Sequence, residues 1–120
     1  LKTVGLADRA NIIVRNLSHG EHRQLEIAMA LATGPKLLLL DEPMAGMGAE
    51  ESQKMVSILN QLKGHHTILL IEHDMDAVFA LADQITVLVY GRSIASGTPT
   101  EIRSNGEVRT AYLGEEGAAN

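Results

Sequence analysis

Cysteine and tryptophan are both missing from these 120 residues, and the aromatics reduce to Phe79, Tyr90 and Tyr112. Without cysteine there is no disulfide, no thiolate metal site and no cysteine nucleophile. So few aromatics rule out a nucleic-acid platform of stacked rings. They also leave the core to Leu, Ile, Val, Met and Ala. A basic surplus is missing too. Ten Lys and Arg against fifteen Asp and Glu give a formal charge of −5, which argues against nucleic acid or an anionic membrane as partner. No apolar run approaches the roughly 20 residues that cross a bilayer. Leu1-Lys2-Thr3 offers neither an initiator methionine nor a signal segment, so the start reads as a cut. The length and the 45% hydrophobic content suit one domain or part of one.

The strongest positive signal is Leu37-Leu38-Leu39-Leu40-Asp41-Glu42-Pro43. Four leucines without polar alternation predict a strand buried on both faces, as in helix-covered parallel sheets. Pro43 stops it. Ligands in such sheets sit at the carboxyl ends of the strands, so this run delivers Asp41 and Glu42 to the reactive edge. A solvated acidic turn is the plainer alternative.

Around that strand the pattern is α/β: a parallel sheet with flanking helices. Leu1 to Val4 reads as a helix end stopped by Gly5, and Leu6 to Asn16 as irregular. Ser18-His19-Gly20-Glu21 is a capping box, opening a helix through Ala32 that Gly34-Pro35 ends. After a loop at Met44 to Gly48, Met55, Ile58, Leu59 and Leu62 form one apolar helical face. Thr67 to Ile71 is a second apolar strand, ending in Glu72-His73-Asp74. A short helix follows with Met75, Val78, Phe79 and Ala82 on one face. Ile85 to Tyr90 is a third strand, Gly91-Arg92 a turn, and Ser93 to Ser96 an antiparallel return. Thr98-Pro99-Thr100-Glu101 is a second capping box with proline at the first helical position. Helices from Glu101 to Ser104 and Glu107 to Leu113 complete the chain, and Gly114 to Asn120 is expected to be disordered. The strand–helix alternation implies right-handed parallel crossovers. Residues 1–34, 35–113 and 114–120 are the expected divisions.

Three features are expected to meet at one edge of the sheet: Asp41-Glu42, His73, and the helix start at Ser18-His19-Gly20. Carboxylates are hard ligands for Mg²⁺, usually through retained waters. Neighbours on a strand diverge, so Asp41 and Glu42 divide the work, one for an ion and one for an attacking water. His73 can donate to a phosphate oxygen or hold a water. A helix N-terminus offers unpaired N–H groups to phosphate, and Gly20 permits close approach. Glu21 closes the capping box but repels phosphate unless its charge is tied up. Each feature alone has a bland explanation: a cap, a loop histidine, a solvated turn. His65-His66 reads as loop, and His19 with His22 as surface polarity. No Gly-x-Ser-x-Gly or Gly-x-Gly-x-x-Gly exists.

Leu17-Ser18-His19-Gly20-Glu21, Leu37 to Pro43, and Ile71-Glu72-His73-Asp74, in this order and spacing, resemble the C-terminal half of an ABC transporter ATP-binding subunit. They correspond to its signature motif, its Walker B strand and its switch-histidine loop. Arg23 to Ala28, Pro43 to Met47 and Ala111 to Gly114 look most like the branched-chain amino acid importer type. The resemblance implies that Asp41 holds Mg²⁺ through water, that Glu42 polarises the attacking water, and that His73 contacts the γ-phosphate. It implies that Ser18, His19, Gly20 and Glu21 face the γ-phosphate of ATP held by a second subunit, and that Ala45, Gly46, Met47 and Gly48 form the D-loop. ATP and Mg²⁺ are the implied cofactors. A second ATP-binding subunit and transmembrane permease subunits are the implied partners, with the protein cytoplasmic and peripheral on the inner membrane face. Nucleic acid is not among the partners.

His19 stands where the family has its first signature glycine, Glu21 where it has glutamine, and Gly48 where many relatives have Asp or Asn. No Gly-x-x-x-x-Gly-Lys-[Ser/Thr] exists in the sequence. The whole family is ATPase; this chain alone is expected to be inactive. The family's P-loop strand would separate Thr67–Ile71 from Ile85–Tyr90, so two apolar edges are expected to close up, swap segments or form a homo-oligomer. The rival readings are a non-catalytic binding and dimerisation module, and an unrelated small metal-dependent α/β hydrolase using Asp41, Glu42 and His73.

Overall fold

A computed structural model describes residues 1–112. The chain forms two compact units, Leu1–His73 and a second starting at Asp74. Leu113 and the expected disordered tail, Gly114 to Asn120, lie outside the described residues. The expected division after residue 34 does not coincide with the boundary between the units.

The first unit opens with a turn in which Gly5 donates to the Lys2 carbonyl and Leu6 to that of Leu1, with Gly5 at φ +76°. Those two bonds and the left-handed glycine are the geometry that ends a helix. Two short 3₁₀ turns follow, Ala7–Arg9 and Val14–Asn16. Helix α1 spans His19–Leu31, capped by Ser18 with both halves of the capping box formed. Strand β1 is Leu37–Asp41, helix α2 is Ala49–Leu62, and strand β2 is Thr67–Ile71. The strands pair in parallel, Leu37 with Thr67 through Asp41 with Ile71. This is one strand–helix–strand crossover, and Met55, Ile58, Leu59 and Leu62 of α2 are all buried, as their spacing predicts.

Burial on both strand faces is not what the structure has. Leu38 is 3% exposed, but Leu37 and Leu39 are 51% and 67% exposed, and Leu69 and Ile71 on β2 are 54% and 52% exposed. All four share one face of the ladder, because residues two apart on a strand point the same way. The run of leucines encodes a two-sided environment, and the described residues of this chain supply one side of it.

In the second unit, helix α3 (Met75–Leu81) is capped by the Asp74 side chain on Ala77 N–H. Strands β3 (Ile85–Val89) and β4 (Arg92–Gly97) form an antiparallel hairpin. Its turn is Tyr90-Gly91, one residue earlier than expected, with φ +49° and +76°. Two positive φ values suit the right-handed twist of a hairpin. Helix α4 (Pro99–Ser104) starts at the Thr98 capping box with Pro99 in the first turn, and α5 covers Gly106–Tyr112. Ile85, Val87, Ile102 and Val108 form the buried core, with Val78, Phe79 and Ala82 packed against it. Among the described residues, β1–β2 and β3–β4 are separate two-stranded sheets.

Candidate functional site

The end of β1 turns sharply. Asp41 is the last strand residue, and Glu42 adopts φ +48°, a left-handed conformation uncommon for a residue with a side chain. Its N–H still donates to Ile71 O at 2.7 Å, and its carbonyl accepts from Ala45 N–H at 3.1 Å. The twist separates the two carboxylates. Asp41 falls in register with Ile71, at an exposed ladder position of the same parity as Leu37 and Leu39, whereas the Glu42 carboxylate meets His73, with Oε1 2.8 Å from Nδ1. An ionised carboxylate only accepts, so Nδ1 carries the proton. The Nε2 of His73 is thereby set as the ring's second functional atom. Two of the three expected features therefore meet.

Glu72 is a residue the sequence reading gave no role. Its side chain is 2% exposed. It accepts the N–H of Met44 at 3.3 Å and that of His73 at 3.0 Å, so one buried carboxylate ties the loop after β1 to the loop after β2. A charged residue directly between an apolar strand and a candidate site histidine was the available signal.

The third feature, the start of α1, makes its own cluster. Glu21 Oε1 accepts the Ser18 N–H at 2.9 Å, and Ser18 Oγ accepts the Glu21 N–H at 3.2 Å. Arg9 approaches Glu21 Oε2 with Nε at 2.9 Å. The charge of Glu21 is thus tied up locally, first by the Ser18 N–H and then by Arg9. Both hold its carboxyl below the usual carboxylate range. In the second unit, Glu101 is lowered in the same way by the Thr98 N–H. A depressed folded-state value contributes stability that is complete above the unfolded value, about 4.3. That contribution is lost as pH falls through the folded value. We expect side-chain carboxyl NMR titrations to show both glutamates ionising below the free-peptide range, and the urea midpoint to fall as the pH drops under about 4.3. Ordinary titration of both would contradict this.

His19, the first residue of α1, places Nε2 2.7 Å from the Ala45 carbonyl. The signature-like helix start therefore touches the Ala45–Gly48 loop. At Gly20, an added Cβ would lie 2.8 Å from Glu51 Oε2, so the Glu51 carboxylate in the first turn of α2 would have to move aside for any larger residue. Arg9, Ser18, Gly20, Glu21, Glu51 and Lys54 line a hollow of about 400 Å³ there. His66 Nδ1 donates to Pro35 O at 2.8 Å, the loop role expected of it. Among the described residues, no three His, Asp or Glu side chains are grouped to hold a metal ion. Asp41 offers a single hard oxygen donor, which fits Mg²⁺ only in the usual manner of that ion, with waters and ligand phosphates completing the shell. No helix among the described residues is long and apolar enough to cross a membrane.

A parallel strand ending in Asp-Glu, a histidine on that glutamate and a capped helix start are the features in which this chain resembles an ABC-type ATP-binding subunit. Residues 1–45 match the ABC transporter family, and residues 92–118 match the branched-chain amino acid ATP-binding cassette transporter family. The chain is 46% identical over 117 residues to the high-affinity branched-chain amino acid transport ATP-binding protein LivG of Salmonella typhimurium, covering 96% of this chain and 46% of LivG. It is 43% identical to BraF of Pseudomonas aeruginosa, again over 96% of this chain and 46% of that protein. Among solved structures, MJ1267, an ATP-binding cassette of an ABC transporter, superposes with a TM-score of 0.83 at 30% identity, covering 95% of this chain and 47% of that one. The chain thus spans about half the length of the curated relatives it matches.

Proposed function

We propose that this chain supplies the second half of the ATP site of an ABC importer, of the kind LivG represents for branched-chain amino acids. The observation that carries this reading is the 2.8 Å pairing of Glu42 with His73 at the end of β1. In this reading Glu42 orients and deprotonates the attacking water. His73 holds Glu42 through Nδ1 and presents Nε2 to the γ-phosphate. Asp41 holds the Mg²⁺ of Mg-ATP through water, and that ion neutralises the developing phosphate charge. The start of α1, with Ser18, His19, Gly20 and a neutralised Glu21, faces ATP on a second ATP-binding subunit. Ala45, Gly46, Met47 and Gly48 act as the D-loop at that contact. Transmembrane permease subunits couple hydrolysis to transport, which places the protein at the inner face of the membrane. Positioning and electrostatics do most of the catalysis, as in phosphoryl transfer generally.

This sequence holds no P-loop, so the chain by itself is expected to hydrolyse no ATP. The test is a LivG in which this chain replaces the segment it aligns with. We expect Mg-ATP hydrolysis from the hybrid and none from the 120-residue chain. An inactive but folded hybrid that still binds nucleotide would overturn the proposal.

A further inference from the structure

His19 puts a bulky ring where the wider family resemblance has the first signature glycine, a departure that fits the branched-chain type. Its surroundings are specific. The acceptor at 2.7 Å is a backbone carbonyl, that of Ala45, and a carbonyl cannot donate. The neutral ring is therefore protonated at Nε2. The next residue, Gly46, sits at φ +77°, and a Cβ there would approach His19 Nε2 to 3.1 Å and Cδ2 to 3.4 Å. The loop thus presents two matched features to the ring: a carbonyl aimed at its N–H and a glycine flat enough to lie beside it.

The bond continues into the catalytic strand end. Ala45 N–H donates to Glu42 O at 3.1 Å, Met47 N–H donates to Met44 O at 3.1 Å, and the Glu42 side chain accepts from His73. One hydrogen-bonded path therefore runs from the first residue of α1 through the loop to the Glu42–His73 pair. Glu42 holds a left-handed backbone conformation. Such conformations persist only when neighbouring contacts over-determine them.

We propose that His19 is a positioning residue: its Nε2–H clamps the Ala45–Gly46 turn to the start of α1 and so fixes the backbone that carries Glu42. The functional weight of this clamp rests on Glu42 acting as proposed above; the clamp itself does not. The two loops that face a second subunit in that reading then move as one piece, and glycine at position 19 would leave them independent.

The test uses the 120-residue chain in solution. Nitrogen NMR of the ring is expected to show His19 as the Nε2–H form near neutral pH. Amide exchange at Met47 is expected to rise about tenfold in His19→Ala, the upper range for one lost hydrogen bond. The His73 ring resonances are expected to shift in the same variant, although His73 is remote from position 19 in sequence. His19→Gln, whose amide can donate to the same carbonyl, is expected to restore both signals, while a general loosening would not be rescued. His19 lies on the exposed end of α1, so its loss removes no core packing. An Nδ1–H ring, or unchanged Met47 exchange and His73 resonances in His19→Ala, would overturn the proposal. These signals report position and not hydrolysis, so they stand or fall separately from the ATPase reading.

Discussion

Glu42→Gln in the LivG hybrid is expected to lower kcat for ATP hydrolysis by roughly 10²–10⁴-fold, the usual contribution of a positioned general base. Nucleotide binding should persist. Gln is nearly isosteric with Glu, and its amide oxygen can still accept from His73 Nδ1, so the 2.8 Å contact and the turn at φ +48° have no reason to change. What is lost is the charge that takes up a proton. The comparison variant is Glu72→Gln. Glu72 is buried and bonded to the N–H groups of Met44 and His73. Its replacement should lower stability and kcat together, because it orders the loops that carry Glu42 and His73. Steady-state turnover, nucleotide-binding titration and urea unfolding on the same samples separate the two effects. Turnover in Glu42→Gln within a few fold of the parent would refute a base role for Glu42.

Much of this was legible from residue order. The capping boxes at Ser18 and Thr98 and the apolar face of α2 are local signals, and local hydrogen bonding and periodicity decide them. The nearness of Glu42 to His73 was legible because parallel neighbouring strands bring their carboxyl ends together. The contact of His19 with Ala45 was not legible. It joins residues 26 apart through a single ring nitrogen, and no periodicity encodes a loop's approach to a helix start. Glu72 was overlooked because a glutamate beside a histidine reads as exposed, whereas the loop N–H groups fold over it. Arg9 was invisible for the same kind of reason: it lies in an irregular segment, and only the three-dimensional path brings it to Glu21. The two-sided burial expected of β1 failed for a different cause. The sequence does encode it, through Leu37 and Leu39, but the described residues of this chain bury only the Leu38 side.

That bare face yields a second expectation, a weak and salt-promoted self-association of the 120-residue chain. Leu37, Leu39, Leu69 and Ile71 make a contiguous apolar strip on one face of the β1–β2 ladder. Apolar strips of this kind seek cover. Fully burying an exposed Leu or Ile contributes about 1.5–3 kcal/mol. These four are already about half-covered, so stacking two copies, which covers eight such side chains, would gain about 8 kcal/mol in all. Association itself costs at least about 4 kcal/mol in lost freedom. The strip alone therefore supports an affinity no better than roughly millimolar, unless the outer ladder edges also pair. Charge opposes it further, because each copy carries −5 and brings Asp41 to the same end of the strip. Like charges facing each other at short range repel, and salt screens that repulsion. Sedimentation equilibrium should accordingly show monomer at micromolar concentration in low salt and a shift toward dimer at higher concentration and ionic strength. Leu39→Glu with Leu69→Glu should abolish the shift. In the LivG hybrid, where about half of the polypeptide comes from outside this chain, the same double substitution should instead unfold the protein, because the face is then an interior. A tight dimer at nanomolar concentration would contradict the weak association expected of this strip, and a hybrid indifferent to the double substitution would show that the leucine face is not an interior there.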